Sequence, residues 1–179
     1  MNSDYKSLHY ADETDRCYGL AGMAISLMVW DAEEMLLEID LDAPAEEALR
    51  LTPDFYLTLA PKTGAKAAWE AAVGHFQLIS ALTVANVTCR HIVRHGRSMI
   101  STALDADIRR FLTEEGAEIA QLDDDEVSSI YGKILAHCAR IFHHPGVAQL
   151  ANDLTDAIQK NKKLPAADVL EILRPLNRM

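Results

Sequence analysis

The chain lacks the short motifs that announce common chemistries. It has no Gly-x-Ser-x-Gly elbow, no P-loop, no Gly-x-Gly-x-x-Gly after a strand and no Cys-x-x-Cys. Those absences remove the commonest hydrolases, nucleotide hydrolases and dinucleotide enzymes. An unusual helical enzyme stays open, because fold does not dictate function. No cofactor signature is present, so the sequence names no cofactor. Cysteine is scarce and unpaired in pattern: Cys17, Cys89 and Cys138 are an odd number, widely spaced, each inside an apolar helical pattern. That usage fits buried free thiols in a reducing compartment better than a disulfide frame.

Positive charge is also in deficit. With 17 Lys and Arg against 27 Asp and Glu, the formal net charge is -10, which argues against nucleic acid or an anionic membrane as the main partner. The opening stretch, MNSDYKSLHYADETDR, has neither a basic n-region nor an apolar h-region, so a cytoplasmic location is expected.

The longest absence of charge carries the most information. From Ala71 to Cys89, nineteen residues contain no Asp, Glu, Lys or Arg, and the apolar side chains point all round a helical wheel. A helix apolar on every side is a buried one. Charged flanks and Gly96 then predict one long central helix over 65–95, wrapped by the others. Its length would suit a bilayer. However, His75, Gln77, Ser80, Thr83, Asn86 and Thr88 distribute polar groups around it, so the expectation is a core helix and no membrane span.

Around that rod the periodicity predicts an all-α, single-domain helical bundle of about five or six helices spanning 1–179, with 1–11 as a flexible N-terminus. A first helix is expected from Thr14 or Asp15 to Ile39, with Gly19, Ala21, Gly22 and Ala24 allowing another helix close approach. Residues 40–62 read as an irregular connection, broken by Pro44, Pro53 and Pro61. Asp42 would cap a short helix there, and 55–59 has extended character without a convincing partner strand. The crowded acids Glu38, Asp40, Asp42, Glu46 and Glu47 lack EF-hand spacing and read as a solvated face.

Further helices are expected from Ser98 to Glu115 with Gly116 as the stop, and from the Asp123/Glu126 capping box to Pro145. Another runs from Pro145 to the KNKK run at 160–163, and a short last one lies between Pro165 and Pro175.

Three groups of residues could carry chemistry. His91 and His95 are four apart on one helical face, the spacing of a two-ligand site for Zn, Ni, Cu or Fe, with His137, His143, His144 or a carboxylate as third ligand. Ile92 in place of Glu excludes an HExxH protease, and no Glu-x-x-His pair exists for a ferritin-like di-iron centre. The alternative is that both histidines complement the helix dipole.

Arg90, Arg94 and Arg97 share one side and, with Arg109 and Arg110, either form an anion pocket or pair with acids of the same chain such as 123–126. His75 and Asn86, if buried, either line a ligand pocket or are satisfied core groups. The reading that follows is a non-catalytic helical interaction protein, self-associating as a homo-oligomer and open to other protein partners. The alternatives are a metal-binding protein or enzyme using His91 and His95, and a binder of a small anionic ligand at His75, Asn86, Arg90, Arg94 and Arg97.

Overall fold

A computed structural model describes residues 5–57 and 64–179. Among them are seven α-helices and a small three-stranded sheet. The all-α class holds, and the helix count exceeds the five or six that periodicity predicts. Helix α1 runs Glu13–Val29, α2 Pro53–Leu57, α3 Ala65–Cys89 and α4 Thr102–Ala120; α5 runs Asp124–Phe142, α6 Pro145–Asn161 and α7 Ala166–Leu173. Helix α3 continues into a π-helical turn, Arg90–Arg94.

Helix α1 stops ten residues before the expected end at Ile39. Asp31 adopts a left-handed conformation at φ 51. Its N–H bonds the Met28 carbonyl and the Ala32 N–H bonds the Leu27 carbonyl. This is a Schellman stop with Asp where glycine is usual. Gln121, at φ 54 and ψ 37, ends α4 in the left-handed region, and Lys162, also at positive φ (62) but with ψ -35, ends α6. Left-handed backbone costs a residue with a Cβ about 1–2 kcal/mol. Gln121 is exposed, so Gln121→Gly is expected to raise the melting temperature by about 2–4 °C, read by thermal denaturation.

Beyond α1 the chain turns extended: β1 (Leu36–Asp40) pairs antiparallel with β2 (Leu49–Leu51) on one edge and β3 (Lys163–Pro165) on the other. Ile39 and Leu164 lie opposite each other and are buried. Charged residues meet across the strands, Glu38 with Arg50 and Lys163, and Asp40 with Lys163. Two of the acids read as a solvated face are thus cross-strand partners.

The 40–62 segment is correspondingly less irregular than expected. Ala45–Glu47 is a single 3-10 turn in place of the helix capped by Asp42. Phe55 and Tyr56 lie in α2 and are not extended, while residues 58–63, with Pro61, lie outside the described residues. Of the N-terminus, residues 1–4 lie outside the described residues, while Tyr5 and Leu8 are buried in the core. Gly116 does not stop α4; it lies inside the helix, where an added Cβ would fall 2.7 Å from Val127 Cγ2.

Helix α3 packs against α1, α4 and α5. Small residues set the α1–α3 approach: a Cβ at Gly22 would lie 2.5 Å from the Ala85 carbonyl oxygen, and one at Gly19 would lie 2.7 Å from the Asn86 amide. Close approach at this stripe is therefore a property of the helix pair itself.

The run 65–94 is long and apolar enough to cross a membrane by length and composition, and 61% of its most apolar window is buried inside the protein. It is not dry throughout, however. Residues 64–70 are all exposed, and burial begins at His75 and Phe76. The charged start of the helix thus meets water and the uncharged run is enclosed from His75 onward, leaving a rod with one closed and one open end.

Candidate functional site

At the closed end, Arg90 is 4% exposed and Asp15 2% exposed. Two turns of one helix and the capping turn of another create their meeting. Asp12 caps α1 by accepting the Asp15 N–H, which directs Asp15 toward the end of α3. Arg90 Nε donates to Asp15 Oδ2 at 2.8 Å, and its two terminal nitrogens donate to the Leu8 and His9 carbonyls at 3.2 and 2.7 Å. The guanidinium sits 4.9 Å over the Tyr10 ring.

Asn86 bridges the same cluster, with its amide donating to Tyr10 Oη at 2.8 Å and its carbonyl oxygen 3.4 Å from Arg90. Arg94 reaches Asp12 at 2.6 Å and Asp15 at 2.7 Å. Burial alone would raise the Asp15 carboxyl. Arg90, the Ala11 N–H and Arg94 together outweigh it and hold the group at about 2.

This geometry brings Asn86, Arg90 and Arg94 together and fills the supposed anion pocket with the chain's own Asp12 and Asp15. Arg97 stands apart and exposed; its backbone N–H bonds the His91 carbonyl at 3.0 Å. Arg109 pairs with Asp105 and Arg110 with Asp107. The acids at 123–126, expected as partners, instead open α5 as a capping box.

His75 lies eleven residues before Asn86 on α3, about 16 Å along the axis, so the two do not share a pocket. Its ring is 4.8 Å from Phe55, and burial lowers its pKa, keeping it neutral at pH 7. Of the polar groups on the spine, Asn86 has partners, whereas the buried Ser80 and Thr88 hydroxyls have none among the described residues.

His91 and His95 stay adjacent, with ring centroids 6.0 Å apart and planes at 77°. His91 Nδ1 lies 3.1 Å from the Val87 carbonyl and so donates its proton there. Burial, with Arg90, Arg97 and His95 nearby, lowers the His91 pKa despite that bond. The proposed third ligands do not join them. His137 packs edge-on against Trp30 at 4.9 Å, and His143 donates to the Ala139 carbonyl. Among the described residues no group of three or more His, Cys, Asp or Glu is placed to hold a metal ion. All three cysteines are buried and free. Burial pushes the Cys17 thiol up to about 11, the Cys138 thiol up to about 12, and Cys89 upward too, so none is a thiolate at neutral pH.

The open end has a different character. Trp30, at the end of α1, and Gln77, on α3, line two cavities of about 380 and 390 Å³. Ile130, Lys133, Ile134 and His137 from α5 line the first. Met35, Ala71, Gly74, His75 and Leu78 help line the second. Gly74 has nothing within 4 Å of an added Cβ, so this trough is open along α3. One and a half turns earlier, Trp69 is 52% exposed. Trp30, Gln77 and Trp69 were not legible as a site from the sequence. The available signal was an aromatic residue within an Ala-rich helical start, AKAAWEAAVG at 65–74. No protein-family model, curated protein or solved structure matches this chain.

Proposed function

We propose that the chain is a non-catalytic helical interaction protein that works in the cytoplasm and self-associates through the open end of α3. The observation that carries this reading is Trp69, half exposed on a helix start where residues 64–70 are all exposed. A large aromatic left in water on a helix of Ala and Val is a surface that gains from being covered.

A second copy is the occupant that fits. Lys66 and Glu70 lie one turn apart with Nζ and Oε1 at 3.7 Å, both exposed. In a two-fold arrangement of antiparallel α3 ends, Lys66 of each copy faces Glu70 of the other. Trp69 is the knob of such an interface and the Gly74 trough its hole. The buried thiols and the internally neutralised arginines support a role without catalysis.

Sedimentation equilibrium tests the reading. The wild-type chain is expected to move toward twice its monomer mass as concentration rises. Trp69→Asp is expected to stay monomeric, with an unchanged melting temperature at low concentration. A wild-type chain that remains strictly monomeric at high concentration overturns the proposal.

A further inference from the structure

At the other end of the spine, we propose that His91 and His95 form a two-histidine chelate for a divalent transition metal of the zinc, nickel and copper class. The site is independent of self-association. Both imidazoles rise from one side of the helix end, with centroids 6.0 Å apart and the rings edge to face at 77°. A tetrahedral centre with metal–nitrogen bonds of about 2.0–2.1 Å needs centroids roughly 5 Å apart. A modest side-chain rotation closes that difference, and His95 is exposed and His91 half-buried, so neither is wedged in place.

The second observation concerns the proton. His91 Nδ1–H is committed to the Val87 carbonyl at 3.1 Å, which leaves the Nε2 lone pair free. An imidazole that donates its other N–H to a backbone carbonyl has the outer-shell arrangement of metal-bound histidines, where that bond fixes the tautomer and raises ligand basicity. A carboxylate-preferring ion such as Mg²⁺ or Ca²⁺ does not suit two nitrogen donors.

The charge around the pair is also more favourable than the sequence suggests. Of the three arginines flanking it, Arg90 and Arg94 are neutralised by Asp15 and Asp12. Arg97 remains as a cation beside the pair and opposes the metal. The π-helical turn Arg90–Arg94 serves both clusters, carrying the buried Arg90, the half-buried His91 and Arg94, with the exposed His95 at its C-cap. Such turns concentrate at functional sites. Water or an external donor completes the coordination, because two protein ligands leave open positions.

Isothermal titration of the full chain without an affinity tag, stripped with chelator, tests the assignment with Zn²⁺ and Ni²⁺ as probes and Mg²⁺ as the control. One ion per chain is expected for Zn²⁺ and Ni²⁺ and none for Mg²⁺. His91→Ala and His95→Ala should each weaken binding by at least about tenfold, with helical circular dichroism unchanged. Arg97→Ala should tighten it, and His143→Ala with His144→Ala should leave it as it was. Absence of stoichiometric Zn²⁺ and Ni²⁺ binding overturns the proposal. So does binding that survives in the His91→Ala His95→Ala protein. Because Arg97→Ala is expected to gain affinity, a loss of fold in the histidine variants does not mask the outcome.

Discussion

Asp15→Ala is expected to cost about 3–5 kcal/mol of folding stability, a fall in melting temperature on the order of 10 °C. Asp15 itself is a small side chain at the start of α1, and its removal leaves little void. The loss comes from what stays behind. Arg90 remains 4% exposed, still donating to the Leu8 and His9 carbonyls, with no carboxylate facing its Nε. A buried guanidinium without its counter-ion carries its full desolvation cost, which is far larger than the net worth of the intact pair.

Replacing both partners, Asp15→Leu with Arg90→Leu, should therefore cost less than Asp15→Ala alone, since no unpaired charge is left. Urea denaturation of the three variants measures this. The same clamp predicts an acid limb. The folded Asp15 carboxyl is held at about 2, below its unfolded value of about 3.9. Its contribution is present in full above the unfolded value and is lost as pH falls from about 4 toward 2. The Asp15→Ala protein should lack that part of the acid dependence. Equal stability of wild type and Asp15→Ala at neutral pH would mean that the clamp does not hold the N-terminal turn onto α3.

The second large effect is Gly22→Ala, expected to destabilise by about 1–3 kcal/mol. Helix propensity alone predicts the opposite sign, since Ala is better than Gly in a helix interior by about 1 kcal/mol. Contact decides it. The new methyl would lie 2.5 Å from the Ala85 carbonyl oxygen and 2.6 Å from Cys89 Cβ, atoms of a helix backbone and a fully buried side chain that cannot swing aside. Gly132→Ala in α5 is the control, because nothing lies within 4 Å of its added Cβ. There the propensity gain should appear undiminished, at about 1 kcal/mol. Chemical denaturation should give opposite signs for the two. Matching signs would show that α1 and α3 are not pressed together at Gly22.

Much of the architecture was legible because it rests on local signals. The Asp123/Glu126 capping box, Pro145 at the first turn of α6 and the uncharged run of α3 all lie where the sequence placed them. The failures are also physical. Helix α1 was overrun because Met35 and Ile39 are four apart, a helical spacing, and because its true stop is Asp31 at positive φ rather than a glycine. Strand β3 was hidden in a lysine run that also suits a helix end. Gly116 resembled a stop but serves close packing against Val127 and Phe76.

For the site, the arginines were visible, but their partners, Asp12 and Asp15, lie some 80 residues away and lack any periodic signature. Nor can a wheel that is apolar all round distinguish a sheathed stretch from an Ala-rich one left open. Within the uncharged run itself, only the neighbours tell the half-open residues 71–74 from the enclosed ones after them.

Hydrogen–deuterium exchange along α3, followed as protein concentration is raised, measures that division directly. Amides of Phe76 to Ile92 should exchange slowly at every concentration, while those of Lys66 to Gly74 should exchange fast when dilute and become protected as copies associate. Protection that is uniform from Lys66 to Ile92 in dilute solution, or that never changes with concentration at the Trp69 end, would contradict an open helix end whose purpose is to be covered by a second copy.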